Sequence, residues 1–299
     1  MPMVIRVKGS VKPLYMVDTT PSSLGKFTAA YILVSSNGRG VVVDPGPANG
    51  VDKLLKALEE LNVNLVYVIP THVHLDHVGA TAEILEEYPE AVVLVHPKGA
   101  PHLIEPEKLW IRTKLALEWI ADAIGVMKPI PSERVKATED GQRIAVDDIE
   151  LMVLHTPGHA SHHQVVWWPE ERVVFPGDAV NMAFGDVWIP ATPPPFKRNL
   201  YLESFQRVKA LKPRMLANTH YGVFNEAEQM LAGFEEQLKL WLRIVDEEVS
   251  KGAREVEEVY PKIVEADWRA RKADRDSFTR ILAKLGVKGM LLDALERKG

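Results

Sequence analysis

The hydrophobic pattern of the first 224 residues consists of short apolar runs that alternate with longer amphipathic stretches. The runs are rich in Val, Ile and Leu and end at Gly, Pro or polar residues, a pattern that favours β-strands. The longer stretches space their apolar positions as helices do. Strands are predicted at 3–8, 11–17, 29–35, 40–44, 63–69, 91–95, 134–146, 149–154, 164–168, 172–176 and 214–218. Helices are predicted at 49–61, 78–88, 106–125 and 199–211.

From about Asn225 onward the pattern becomes helical. Gly286 and Gly289 are predicted to interrupt the last helix, because glycine is a poor helix former. The predicted helices lie at 225–251, 253–268 and 276–297.

A mixed set of strands with helices on both sides indicates an α/β (α+β) protein with a four-layer αββα sandwich. We assign the sandwich to residues 1–224. Residues 225–299 then form a C-terminal helical extension, which packs on the sandwich or on a partner subunit.

The candidate chemistry begins with a dense group of polar side chains after the strand 63–69. His72, His74, Asp76 and His77 follow it within a few positions, at the point where the chain turns into a helix. Neutral imidazole and carboxylate are ligands of first-row metals. Burying four ionisable groups so close together without a cation would leave them unpaired or in repulsion. The segment therefore predicts a metal site, and one loop can serve two ions.

Three more candidate ligands each follow a predicted strand. They are His159, Asp178 and His220. The carboxyl ends of strands in one sheet meet at a shared edge, where α/β proteins place their chemistry. A carboxylate can bridge two ions about 3.5–4 Å apart, and Asp178 is the residue best placed to do so.

Taken in order, these motifs resemble the metallo-β-lactamase superfamily, and the strand that leads into Asp44-Pro45-Gly46 resembles an early motif of the same family. The resemblance implies a dinuclear site on an αββα sandwich. One ion would be held by His72, His74 and His159. The other would be held by Asp76, His77 and His220, with Asp178 bridging the two ions and Asp44 supporting the ligands from outside. The likeness is closest to the branch that includes glyoxalase II-like thioesterases and lactonases.

Composition narrows the class of protein. There is no cysteine, which excludes disulfides and thiolate ligands, and the net charge is −5. The acidic balance argues against nucleic-acid binding, and no apolar run approaches the ~20 residues of a membrane span. Residues 1–10 lack the apolar segment of a secretory signal, so a cytoplasmic protein is expected. The expected partner is a small-molecule substrate, and a homodimer is possible.

The predicted activity is metal-dependent hydrolysis of an ester, thioester or lactone by a hydroxide that bridges two divalent ions. Zinc is the expected metal, and iron or manganese would accept the same ligands. Asp76 is the predicted catalytic residue, because it can orient the hydroxide and pass a proton to the leaving group. The alternatives are hydrolysis of a phosphodiester or organophosphate ester and, in a different class, a sulfur dioxygenase-type oxidoreductase with one iron.

Substrate contacts are less strongly indicated by the sequence. His162 or His163 could face the cleft, although a hydrogen-bonded loop histidine is an equal alternative. The proline-rich loop 184–196 is predicted to form an apolar wall that includes Trp188. Tyr221, next to His220, could donate a hydrogen bond to a reaction oxyanion.

Overall fold

The computed structural model describes residues 4–185 and 187–298, and its core is a pair of β-sheets. The first sheet has the strand order β1-β2-β3-β4-β5-β6-β7, with the first three pairs antiparallel and the last three parallel. Its strands are β1 (Val4–Arg6), β2 (Leu14–Asp18), β3 (Ala29–Val34), β4 (Arg39–Val43), β5 (Asn64–Ile69), β6 (Val92–Val95) and β7 (Val135–Ala137).

The second sheet has the order β15-β14-β11-β10-β9-β8, and a separate hairpin is formed by β12 and β13. The strands are β8 (Arg143–Val146), β9 (Ile149–His155), β10 (Gln164–Trp168), β11 (Val173–Phe175), β12 (Asn181–Phe184), β13 (Val187–Pro190), β14 (Met215–Asn218) and β15 (Gly222–Phe224). The predicted strand 134–146 is two strands, β7 and β8, which lie in different sheets.

The two sheets pack face to face because successive side chains of a strand point to opposite faces. In β3, Tyr31 and Leu33 enter a core cluster that contains residues of both sheets, and Ile32 enters the core on the other face. In β10, Trp168 enters the inter-sheet cluster and Trp167 the opposite one. Helices cover the outer faces, so the predicted αββα fold class is confirmed.

The helices of residues 1–224 connect the strands and cover the sheets. They are α1 (Val51–Glu60), α2 (Leu75–Val78), α3 (Thr81–Glu87), α4 (Ala100–Ile104), α5 (Glu107–Leu117), α6 (Trp119–Ile124) and α7 (Arg198–Ala210). The single helix predicted at 106–125 is wrong, because Glu118 has a φ of 50° and separates α5 from α6. No helix within the described ranges is long and apolar enough to cross a membrane.

The C-terminal helices are α8 (Ala227–Lys251), α9 (Val256–Ala266), α10 (Trp268–Ala273) and α11 (Ser277–Lys298). The predicted interruption of the last helix is wrong, because α11 runs unbroken through Gly286 and Gly289. A Cβ at Gly289 would lie 1.9 Å from the carbonyl oxygen of Thr192, and the Thr192 hydroxyl donates to the Gly286 carbonyl at 2.9 Å. The glycines therefore allow the helix to lie directly against the segment that follows β13.

Asp267 joins the C-terminal helices to the hairpin. Its carboxylate is 3% exposed and accepts hydrogen bonds from Gln237 Nε2 and Trp241 Nε1, both at 2.7 Å. The Gln237 amide also donates to the carbonyl of Trp188 in β13 at 2.7 Å. The helical extension therefore packs on the hairpin of the same chain, although the boundary at 224/225 stays a prediction.

Replacing Asp267 by Asn should lower the free energy of unfolding by about 2 kcal/mol. The carboxylate accepts at both oxygens, from Gln237 and Trp241 at Oδ2 and from the Arg269 amide at Oδ1 at 3.0 Å, whereas the Asn amide offers one acceptor oxygen. Urea denaturation would measure the loss. Asp122→Asn, at an exposed carboxylate on α6, should change it by less than about 0.5 kcal/mol. An equal effect of both changes would contradict the role assigned to Asp267.

Candidate metal centre

The candidate site lies on one edge of the sandwich, where several chain segments leave their strands. The loop after β5 carries His72 and His74 and continues into α2 with Asp76 and His77. His159 follows β9, Asp178 lies in a short 3₁₀ turn after β11, and His220 follows β14. The structure thus brings all seven predicted ligands to the same place.

The first group consists of three imidazoles that converge on one point. His72 Nε2 lies 2.9 Å from His74 Nδ1, and His159 Nε2 lies 3.2 Å and 3.0 Å from those two atoms. His72 and His159 are buried, and His74 is half-buried. Together with Asp178, their ligand atoms lie within 4.8 Å of one another, close enough to surround one ion.

The second group lies beside the first and contains the remaining three residues. His77 Nε2 is 3.0 Å from His220 Nε2, and Asp76 Oδ2 is 3.8 Å and 3.3 Å from those two nitrogens. Both imidazoles are buried, and the Asp76 side chain is 14% exposed. Asp76 and His74 are therefore the candidate ligands through which solvent reaches the centre.

Asp178 stands between the two groups. Its Oδ2 is 3.4 Å from His159 Nε2, and its Oδ1 is 3.7 Å from both His77 Nε2 and His220 Nε2. The Oδ1 atom is buried and has no hydrogen-bond partner among the described residues. Each oxygen of one carboxylate thus faces a different group of imidazoles, as a bridging ligand requires.

Asp44 supports the second group from behind. It is fully buried and has a φ of 47°. Its carboxylate accepts from the Thr71 amide at 2.6 Å, the Thr219 hydroxyl at 2.5 Å and His77 Nδ1 at 3.0 Å. A partner of this kind fixes the tautomer and ring orientation of a ligating histidine, which matches the supporting position predicted for Asp44.

Main-chain carbonyls orient two further imidazoles. His159 Nδ1 lies 2.8 Å from the carbonyl of Ala191, and His220 Nδ1 lies 2.9 Å from that of Phe27. A carbonyl can only accept, so both Nδ1 atoms carry a proton, and in the neutral form of each ring the lone pair is on Nε2. His77 has the same tautomer when neutral, so two lone pairs meet across 3.0 Å unless a proton or a cation lies between them. The donor set therefore fits a metal ion.

Histidine pKa values shift in opposite directions in the first group and at His77 of the second group. Burial lowers the pKa of His72 and His159 well below the usual histidine value, and it lowers that of His74 to about 4. Burial also lowers the pKa of His77, but the carboxylates of Asp44, Asp178 and Asp76 outweigh it and raise the pKa to about 10. At neutral pH the first three imidazoles are unprotonated, and the second group favours a positive charge at its centre.

His162 and His163 lie close to the metal ligands but differ in exposure. His163 is fully buried, its Nε2 accepts the Asp178 amide at 3.0 Å, and its Nδ1 is 2.8 Å from the Thr156 hydroxyl. It therefore positions the turn that carries Asp178, a role that the sequence did not reveal. His162 is half-buried, and its ring centroid lies 5.8 Å from that of His74. Of the two, only His162 reaches toward solvent, and its contact with substrate stays a prediction.

Trp188 and Tyr221 are the other two predicted substrate contacts, and their contact with substrate stays a prediction. The Trp188 ring packs against Phe224 and lies under the Arg269 guanidinium at 5.2 Å, so it faces the C-terminal helices. The Tyr221 hydroxyl is buried and has no hydrogen-bond partner within residues 4–185 and 187–298, and burial raises the pKa of this phenol to about 12. Part of the predicted loop 184–196 is a strand, because β13 spans Val187–Pro190, and Asp186 lies outside the described residues.

Three aromatic residues lie beside the second group, and of these Phe27 and Phe278 were not predicted from the sequence. The Phe27 ring lies 4.9 Å from that of His220, and the Phe184 ring lies 6.1 Å from it. Phe278 of α11 packs on both phenylalanines, at 5.0 Å and 5.9 Å. Phe184 lies within the predicted apolar wall. Phe278 was missed because the contact between α11 and β12 joins distant parts of the chain and has no local sequence signal.

Comparison with known proteins decides the family. The family model described as metallo-beta-lactamase superfamily matches residues 24–220, which span Phe27, Asp44 and all seven candidate ligands. The chain belongs to the metallo-β-lactamase superfamily. Two relatives with related sequences are named as a hydrolase and a thioesterase, and the two groups of His and Asp side chains in this chain could each hold a metal ion.

Among the relatives, the chain is similar to ST1585, a metallo-beta-lactamase fold-containing protein of Sulfurisphaera tokodaii. Their sequences are 27% identical over 76% of this chain and 87% of that protein. The crystal structure of ST1585 superposes with a TM-score of 0.71 over 93% of this chain and 97% of the other, at 24% identity. The structural likeness therefore includes the region of the C-terminal helices.

Two relatives of this superfamily carry names that describe an activity. A hydroxyacylglutathione hydrolase of Vibrio cholerae is 30% identical over 53% of this chain, and an atrochrysone carboxyl ACP thioesterase of a Cryptosporiopsis species is 27% identical over 60%. The matches cover 50% and 44% of those proteins. The chain thus matches about half of the length of each.

Proposed function

We propose that this protein is a dinuclear metal-dependent hydrolase that acts on a thioester, ester or lactone. The observation that carries the proposal is the position of Asp178, whose two oxygens face different groups of imidazoles. An oxidoreductase with a single iron would have no use for a second complete group of ligands. Asp76, His77 and His220 form that second group, so the dinuclear hydrolase is the better reading.

Two divalent ions in these positions would supply Lewis-acid polarisation of the substrate and a water molecule that ionises near neutral pH. Proton transfer is carried out by a side chain of the protein. Burial raises the pKa of Asp76, but His77 and His220 outweigh it and keep the pKa below the usual aspartate range. Asp76 is therefore an anion at neutral pH. We assign it, from its place beside His220, the transfer of a proton from the attacking water to the leaving group. Its partial exposure puts it beside the entering substrate.

The substrate class rests on two supports. The named relatives include a thioesterase and a hydroxyacylglutathione hydrolase, and both names describe cleavage of an acyl group. The site is also flanked by phenylalanines, and the chain carries a net charge of −5, so a polyanionic substrate is disfavoured. Zinc is the metal we propose, since an imidazole and carboxylate set suits it, and iron or manganese would accept the same ligands.

A panel of substrates tests this function. Protein stripped of metal and reloaded with zinc, iron or manganese would be assayed on aryl esters, lactones, acyl thioesters and phosphodiesters. We expect hydrolysis of at least one acyl substrate with two ions bound per chain. Turnover of phosphodiesters alone would overturn the substrate class, and full activity with one ion would overturn the dinuclear mechanism.

A further inference from the structure

An apolar surface adjoins the second group of ligands and is built from three distant parts of the chain. Phe27 lies before β3, Phe184 ends β12 and Phe278 lies in the first turn of α11. Phe27 is 1% exposed and its ring contacts the other two, whereas Phe184 and Phe278 are half-buried. The two half-buried rings meet edge to face at an interplanar angle of 80°. We call this pair the Phe184–Phe278 surface.

The position of Phe278 is fixed by the start of α11. The Thr279 amide donates to the Asp276 carboxylate at 2.9 Å, and the Thr279 hydroxyl donates to the Ala273 carbonyl at 2.7 Å. Asp276 thus caps the helix in the usual manner of an N-terminal acceptor. The Phe278 ring is therefore held by its own backbone as well as by Phe27 and Phe184. A ring fixed in this way can bind an apolar group without the entropic cost of ordering a mobile side chain.

The Phe184–Phe278 surface lies on a defined side of the centre. Phe184 is 6.1 Å from the ring of His220, and His220 Nε2 is 3.3 Å from Asp76 Oδ2. The proposed function makes Asp76 the donor of a proton to the leaving group, so the leaving atom lies against Asp76. Substituents on the leaving atom then extend toward His220 and the phenylalanines, whereas the acyl chain extends from the other side of the reacting carbon.

We propose that the Phe184–Phe278 surface is a specificity subsite that binds an apolar leaving group, such as an alkyl or aryl thiol or alcohol. The inference rests on the proposed function, because it takes the direction of the substrate from the role of Asp76. It makes the C-terminal helices part of the substrate site, with Phe278 as the residue they contribute.

Three thioesters and two variants test the proposal. S-ethyl thioacetate is the reference, S-hexyl thioacetate lengthens the leaving group, and S-ethyl thiohexanoate lengthens the acyl chain by a similar amount. The variant is Phe278→Ala. The control is Leu292→Ala, which removes a 47% exposed apolar side chain from the same helix. Both are compared with the unaltered protein after metal content and unfolding temperature have been shown to agree.

In Phe278→Ala, kcat/KM for S-hexyl thioacetate should fall about tenfold, mainly through KM, because burial of a few methylene groups is lost. The values for the other two thioesters should change less than twofold, and Leu292→Ala should change none of them. An equal loss on all three substrates, or a loss confined to S-ethyl thiohexanoate, would overturn the assignment.

A binding measurement keeps the inference separate from the proposed function. Hexyl methylphosphonate and methyl methylphosphonate are monoesters that share an anionic head suited to a metal centre. They differ only in the alkyl group on the ester oxygen, which stands for the leaving atom. Calorimetry on the metal-loaded protein should show tighter binding of hexyl methylphosphonate, and Phe278→Ala should remove the difference. If the preference disappears in the variant while every thioester is inert, the subsite stands and the proposed function fails. If thioesters are cleaved and the variant keeps its preference, the subsite fails alone.

Discussion

Replacing Asp178 by Ala should abolish hydrolysis and lower the metal content below two ions per chain. Among the described residues, the Asp178 carboxylate is the only side chain with oxygens that face both groups of imidazoles. Its removal takes a shared ligand from both ions. The loss in kcat/KM should therefore exceed the roughly 10–100-fold loss typical of partners outside the ligand sphere. Elemental analysis after dialysis in metal-scrubbed buffer would give the metal content, and the best substrate of the panel would give the rate.

The matched control is Asp148→Ala. Its side chain is 39% exposed and pairs with Lys12 on the surface at 3.4 Å, so metal content and activity should stay unchanged. Circular dichroism would show that both variants fold. Full activity of Asp178→Ala with two bound ions would remove the basis of the dinuclear assignment.

Gly289→Ala in α11 should destabilise the protein by about 3 kcal/mol even though alanine favours helices. The added Cβ would lie 1.9 Å from the Thr192 oxygen and 2.8 Å from the Pro193 carbonyl carbon, both of them backbone atoms that cannot turn aside. The shift would reach Ala191, whose carbonyl orients His159 at 2.8 Å. Affinity for the first ion should then fall roughly 10–100-fold. Urea denaturation and metal titration would measure the two effects.

Gly233→Ala in α8 is the control. Its Cβ would meet its nearest atom, in the Trp188 ring, at 3.6 Å, which is ordinary contact. This variant should be unchanged or more stable by up to about 1 kcal/mol, with normal metal affinity. If the two alanine variants behave alike, close packing of α11 does not position the metal site.

The sheets and the ligand loop could be predicted because their signals are local. The run 65–69 is apolar and rich in β-branched residues, and the cluster that follows it indicates a metal site without information from distant parts of the chain. His159, Asp178 and His220 were harder to assign singly, but each follows a strand. Strand ends of one sheet edge meet in space, which is why the prediction of their proximity succeeded.

The parts that could not be predicted depend on contacts between distant segments. Gly286 and Gly289 look like helix breakers in sequence, and only the nearby backbone at Thr192 shows why glycine is needed there. The turn at Glu118 carries no Gly or Pro to mark it. Phe278 and Phe184 meet because a helix folds back over the hairpin, and neither residue differs in sequence from an ordinary core phenylalanine.

Backbone acceptors at Phe27 and Ala191 hold two of the imidazoles. These acceptors belong to the main chain, so the orientation of His159 and His220 depends on the path of the backbone and not on the chemistry of a supporting side chain. The buried side chains of Phe27 and Ala191 contribute by packing, which fixes that path. At Ala191 the main chain keeps its position because α11 packs against the neighbouring residue Thr192. The C-terminal helix therefore helps to orient a candidate metal ligand from outside the site.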